Sequence, residues 1–372
     1  MPAIVALQAT HWCLFDTCYN FASKGIHMAR LFSELTDEQI DRFPVLDATL
    51  DDLDMDKVEA HITRAIDSAR FQARADQPFD FLKRYRCLVE QDGVLRPTVA
   101  GLLMFGLDPQ AFLPHAIVGL AHFPGVAPDT GDVLQLARYT GTLPEQIDAV
   151  FRYLWTNIRH GFSLEEGPQR TERPEYPRIA LRELTVNALA HRDYNDDGRY
   201  TRVSMFMEHL EWISPGGLPG GITVENILQA QYSRNPNIAE LLYQAGYIER
   251  FGLGLDLVAR ELRAAGLPAL SMRDSEGAFT VTIYGPDAPA VRAQTPFRLA
   301  LLTYARQHGQ LTMADVRRIN DEQGEYRSQR SLAYDLSILV EAGFLRRIGK
   351  SRDTAYVPVV SEVALETTDA QE

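Results

Sequence analysis

The sequence predicts an α/β protein in two folded parts, a mixed α/β body and a smaller C-terminal module of helices and a hairpin. Three observations carry that prediction. An apolar helical run from Arg182 to Tyr194 holds Glu183 and Asn187 one turn apart. Two strand-like runs between Tyr200 and Ile213 lead into the glycine-rich turn Ser214 to Gly221, and a second glycine pair, Gly252 and Gly254, opens the helical run Leu255 to Ala265. After Gly285-Pro286-Asp287-Ala288-Pro289, helical periodicity returns three times and closes on two short β-type runs.

Taken in order, Leu50 to Ala73 reads as a helix with Leu53, Val58, Ile62 and Ile66 on one face. Phe79 to Val89 is a second helical stretch, and Gln91-Asp92-Gly93 turns the chain toward a helix over Thr98 to Phe105. Ala116 to Phe123 is apolar and reads as a strand. Leu143 to His160 is a long helix, and Glu165 to Pro177 reads as a charged, proline-containing loop. Phe279 to Tyr284 is a further strand. In the C-terminal part, Pro296 to Gln307 forms a helix. Thr312 caps a second through about Asn320, because its hydroxyl can accept backbone amides. A third starts at Arg327 or Ser328, buries Leu332, Leu336, Leu339 and Val340, and ends at Gly343. Phe344 to Ile348 and Thr354 to Val359 then form a hairpin with Lys350 and Arg352 at its tip. Three helices and a basic-tipped hairpin resemble a winged helix-turn-helix. The expected divisions are 1–45 as remnant or linker, 46–115 as a helical N-terminal part, 116–285 as the α/β body, 286–295 as linker, 296–360 as the winged module and 361–372 as a disordered tail.

Positions i and i+4 share a helix face, so Glu183 and Asn187 can point into one pocket. A carboxylate that poises a water beside a carboxamide that holds Mg²⁺ makes a nucleotide site. The same spacing also fits an amphipathic helix with two solvated polar residues. Glycines permit close backbone approach to a ligand, and a helix N-terminus suits phosphate. The order of these pieces resembles the GHKL ATPases. The runs Arg-Glu-Leu-Thr-Val-Asn-Ala-Leu-Ala-His-Arg-Asp-Tyr, Ser-Pro-Gly-Gly-Leu-Pro-Gly-Gly-Ile-Thr, Arg-Asn-Pro-Asn-Ile-Ala and Ile-Glu-Arg-Phe-Gly-Leu-Gly-Leu narrow the likeness. They are similar to the RecG-related transcriptional regulators with a divergent GHKL module, over roughly residues 45 to 285. The fold so implied is an α+β sandwich of the histidine-kinase-like ATPase type.

That resemblance implies roles. Glu183 would be the catalytic water-positioning carboxylate and Asn187 the Mg²⁺ ligand. Gly216, Gly217 and Gly220 would line the adenine and ribose, and Gly252 and Gly254 would support the phosphates. Residues from about Thr223 to Arg250, including Arg234 and Asn235, would form a lid. The family's aspartate that accepts from the adenine amino group is replaced by Ser214, whose hydroxyl lacks the charge. The resemblance also implies an upstream Schlafen AlbA-type domain, for which residues 1–45 leave no room. Two rival motifs fail. His191-Arg192-Asp193 is not accompanied by the glycine loop, strand lysine and Asp-Phe-Gly of a kinase, and no G-x-x-x-x-G-K-[ST] phosphate loop occurs.

The 372 residues are 45% hydrophobic and 23% charged, a globular composition. Cys13, Cys18 and Cys87 imply neither a disulfide framework nor a metal site, which fits the cytoplasm. No secretory signal and no membrane-spanning run is read, and no membrane partner is expected. A net charge of −13 argues against nucleic acid covering the whole surface. Thr295 to Tyr356, however, carries ten basic and seven acidic side chains. Arg327, Ser328, Arg330, Ser331 and Tyr334 early on the third helix, with Lys350 and Arg352, are therefore the expected DNA contacts. A winged helix serving only protein contact is the alternative. The functional expectation is an ATP- and Mg²⁺-binding transcriptional regulator, in which nucleotide state biases DNA binding and a homodimer forms. The alternatives are a DNA-dependent ATPase of nucleic-acid processing and a scaffold with a dead nucleotide pocket.

Overall fold

The computed structural model describes residues 37–70, 77–129, 131–164, 170–228, 232–248, 254–275, 277–286, 288, 295–322, 327–349 and 354–359. The chain divides into two compact units, Met1–Ile283 and Tyr284–Glu372.

The first unit opens on a helical segment. Leu50–Asp52 makes a single 3-10 turn, Leu53 is extended, and Asp54 then caps α1, Met55–Asp67, by accepting from the amides of Asp56 and Lys57. The helix expected over 50–73 is therefore shorter at its start. Ala69, at φ 53°, closes it. Helix α2, Pro78–Arg84, stops well before Val89 because Arg86 takes φ 51°. Cys87 leads instead into the hairpin β1, Leu88–Gln91, and β2, Val94–Pro97. Its turn residues Asp92 and Gly93 both have positive φ, as a two-residue hairpin loop requires. Thr98 caps α3, Val99–Phe105, which is buried along its whole length.

Next come β3, Val118–His122, and β4, Gln135–Tyr139. Helix α4, Leu143–Asn157, begins in a capping box between Thr142 and Glu145. It ends sooner than His160 because the chain turns into β5, His160–Leu164, paired with β6, Arg170–Pro174. The segment expected to be a loop over 165–177 thus contains a strand. Helix α5, Arg178–Ala190, precedes β7, Thr201–Met205, and β8, His209–Pro215. After them follow α6, Pro236–Gln244; α7, Gly254–Ala264; β9, Ser271–Ser275; and β10, Ala278–Tyr284.

Six strands form one mixed sheet in the order β4-β3-β7-β8-β10-β9. The β3–β7 pair is parallel, while β3–β4, β7–β8 and β9–β10 are antiparallel. Helix α5 packs on α4, α7 and β8. Leu181, Leu184, Leu154, Val258, Trp212 and Val203 share one core with the N-terminal residues Val58, Phe81 and Phe105. This is a helix layer on a sheet, each burying its apolar side on the other.

The N-terminal segment grips α6 from behind. Oδ2 of the fully buried Asp41 accepts from the amides of Asn237 at 2.6 Å and Ile238 at 3.1 Å, capping the helix from a distant part of the chain. Arg70 donates to the carbonyls of Tyr243 and Ile248. Ile238, Leu241 and Leu242 are fully buried. Nine of the 28 residues expected as a lid, 223–250, thus form a helix with its apolar side in the core.

The second unit holds α8, Pro296–His308; β11, Leu311–Thr312; α9, Met313–Glu322; α10, Gln329–Glu341; β12, Leu345–Ile348; and β13, Ala355–Pro358. Its sheet runs β11-β13-β12, antiparallel throughout, so the hairpin gains a short third strand. Phe297, Leu301, Leu311, Val316, Leu336 and Leu345 form its own core. Among the described residues, no helix is long and apolar enough to cross a membrane.

Candidate functional site

A cavity of about 470 Å³ opens between α5, the loop after β8, α6 and the start of α7. Helix α5 presents Glu183, Leu184, Asn187, Ala188 and, just past its end, His191. The helix is buried on most sides, and Glu183 itself is 1% exposed. A solvated polar face is therefore not what this helix provides. Oε1 of Glu183 accepts from Nη2 of Arg182 at 2.9 Å, which offsets the cost of burying the carboxylate.

Gly254, the first residue of α7, closes on the same pair. A Cβ built there would lie 2.9 Å from Oε2 of Glu183 and 3.5 Å from Nδ2 of Asn187. Only a glycine lets this helix N-terminus come so near. Glu183, Asn187 and Gly254, three residues expected at the site from sequence, are thus brought together.

The β8 side supplies Trp212 and Ser214. Ser214 donates its hydroxyl proton to the carbonyl of Ala188 at 2.8 Å, so it ties strand to helix and turns only lone pairs outward. Gly216, at φ +93°, lies against the guanidinium of Arg234, which also donates to the carbonyl of Gly217 at 2.7 Å. Arg234 is 5% exposed yet lines the cavity, so a buried cation stands beside the glycine turn. Gly220 is exposed and does not reach the cavity wall. Asn235 is fully buried and donates to the carbonyls of Ala190 and Arg192, closing the end of α5 rather than facing a ligand. Gly252 lies outside the described residues.

Sequence reasoning passed over several wall residues. His191 lines the cavity and is exposed at its surface. Desolvation by the cavity wall, and then the nearby Arg234 charge, lower its pKa below the usual imidazole value. Arg192 is buried and donates to the carbonyls of Asp193, Asp196 and Arg199, holding the loop that leads to β7. Ala239, Glu240 and Tyr243 come from α6. Their spacing was the available signal, but the apolar residues between them hide the stripe.

Among the described residues no group of three or more His, Cys, Asp or Glu could hold a metal. Mg²⁺ needs no such cage, since it takes one or two protein ligands and fills its other positions with phosphate and water. Asn187 and Glu183 beneath the α7 N-terminus fit that demand.

In the second unit, Ser328 caps α10 by accepting from the Ser331 amide at 3.2 Å. Arg327 pairs with the buried Asp335 at 3.3 Å and stacks over Phe297, so this expected DNA contact is turned inward. Asp335 also takes Arg298 at 2.7 Å. Arg330 and Tyr334 are exposed, while Ser331 is half-buried. Lys350 and Arg352 lie outside the described residues. Arg346 and Arg347 on β12 are exposed and were not singled out from sequence.

Comparison with known proteins gives two family matches. Residues 29–117 match the model described as "Domain of unknown function (DUF8451)". No curated protein matches the chain. Among solved structures the chain is similar to the crystal structure of the DIP2311 protein from Corynebacterium diphtheriae. That likeness has a TM-score of 0.54 and 20% identity, and covers 89% of this chain and 66% of that one. The chain therefore spans just under two thirds of that protein, and the likeness is one of fold. Residues 198–283 match the model described as "Putative ATP-dependent DNA helicase recG C-terminal". They carry the glycine turn, Arg234 and Gly254, and this part of the chain is accordingly similar to a RecG-related, ATPase-like domain.

Proposed function

We propose that the cavity binds ATP with Mg²⁺, and that the nucleotide state biases DNA binding by the C-terminal unit, which we read as a winged helix-turn-helix. The protein is then a cytoplasmic transcriptional regulator. The observation that carries the nucleotide reading is the meeting of Glu183, Asn187 and Gly254 on one wall of a 470 Å³ cavity. A carboxylate, a carboxamide and a helix N-terminus in that arrangement suit an anionic ligand with its cation. Mg²⁺, when bound, neutralises charge on phosphate oxygens. Asn187 would hold it through its side-chain oxygen. Glu183, kept in place by Arg182, accepts the proton of an attacking water. The start of α7 and the guanidinium of Arg234 would supply positive potential to the bound phosphates. For DNA, the exposed Arg330, Tyr334, Arg346 and Arg347 support contact with phosphates and base edges. A homodimer on a two-fold site accords with this reading.

Titration with a fluorescent ATP analogue and Mg²⁺ tests it. Wild type should bind saturably and Asn187→Ala should not. Glu183→Ala should keep binding while any turnover falls by a factor of about 10² to 10⁴. Saturable binding in wild type and Asn187→Ala alike would remove the assigned cation position. No binding in either, with DNA binding intact, would leave a scaffold with a silent pocket.

A further inference from the structure

Helix α6 turns one stripe, Ala239, Glu240 and Tyr243, to the cavity. Glu240 is therefore a second carboxylate in the wall, and the chemistry above does not use it. Its orientation is imposed. Gln244, one turn on and 1% exposed, donates from Nε2 to Oε1 of Glu240 at 3.0 Å. The other end of that amide faces Nε2 of His61 on α1, with Oε1 of Gln244 at 3.3 Å. His61 is buried between the rings of Phe81 and Phe105, with centroids 5.4 and 5.2 Å away. Burial lowers its pKa to about 4, so it is neutral at neutral pH. An ionised carboxylate only accepts, so the amide must offer its nitrogen to Glu240 and its oxygen to the imidazole N–H. One arrangement of the three groups satisfies both bonds, and it fixes Glu240 Oε1.

A carboxylate in the cavity wall favours a ligand group that donates to it. Tyr243 beside it offers a face for a flat ring. We propose that Glu240 reads an exocyclic amino group on the base of the bound nucleotide, with Gln244 and His61 as its positioning residues. The N-terminal segment, through His61, is then part of ligand recognition and not a separate appendage. This inference rests on the nucleotide reading above.

The test compares equilibrium binding of MgATP and MgITP, in which the purine amino group is replaced by an oxo group, to wild type, Glu240→Gln and Gln244→Met. Wild type should prefer MgATP by about tenfold or more, the worth of one hydrogen bond to a charged group. Glu240→Gln should level or reverse that preference, because an amide can donate to the oxo group. Gln244→Met should reduce it part of the way. An unchanged ratio in Glu240→Gln, or an equal loss of both nucleotides, overturns the inference and leaves the nucleotide reading standing. Failure of wild type to bind either nucleotide overturns the nucleotide reading itself.

Discussion

At Gly254 the absence of a single methyl group decides whether a helix N-terminus can stand over Glu183 and Asn187. The space a Cβ would need is 2.9 Å from a carboxylate oxygen buried too deeply to swing away. Gly254→Ala should therefore displace Glu183 and weaken Mg-nucleotide binding by about tenfold or more, for a packing conflict on the order of 1–3 kcal/mol. Titration of that variant beside its thermal unfolding curve separates a local displacement from loss of the fold; unaltered affinity would show that the approach is not needed. Two other residues show where sequence reading stops. Ser214 is legible as a hydroxyl in place of a carboxylate, but only packing reveals that its proton is spent on Ala188. Arg327 is legible as an early basic residue on a helix, yet Asp335, eight positions on, draws it inward. Neither partner is visible without the fold, because both bonds depend on which face each element turns.

At the scale of elements, α5 was readable because its apolar run is long and its Glu–Asn spacing is regular. Helix α6 was not read as a separate helix. It is short, begins at Asn235-Pro236 where a turn is equally natural, and takes its N-cap from Asp41, almost two hundred residues upstream. Its junction with α1 has a pH signature. The pKa of His61 falls from 6.5 to about 4 on folding, so its stabilisation is complete above pH 6.5 and is lost as pH falls toward 4. Denaturant unfolding between pH 7 and 4.5 should show wild type losing up to about 2–3 kcal/mol more than His61→Phe over that window. Parallel pH profiles for the two proteins would contradict a neutral, buried His61. The hairpin of β5 and β6 also escaped sequence reading. Strands as polar as Arg170–Pro174 carry no alternation to find.

At the scale of the whole molecule, an acidic chain of net charge −13 carries, from Thr295 to Tyr356 in its C-terminal unit, ten basic against seven acidic side chains. If that unit grips DNA, binding should weaken steeply with salt. The double variant Arg346→Ala with Arg347→Ala should lower affinity on any sequence and reduce the salt slope by about two. A slope equal to that of wild type would exclude this strand from the interface. The match over residues 198–283 stops short of α5, so the residues that would do chemistry lie outside the stretch that similarity covers. The sequence by itself determined the helical run with Glu183 and Asn187, the glycine turns, the strands flanking them and the separate C-terminal module, because these rest on local periodicity and local turn chemistry. Only the tertiary structure decided that Gly254 meets Glu183, that Arg234 lies on the glycine turn, that Asn235 closes a helix end, and that His61 reaches Glu240 through Gln244. Those contacts join residues far apart in the chain, and burial, not spacing, selects them.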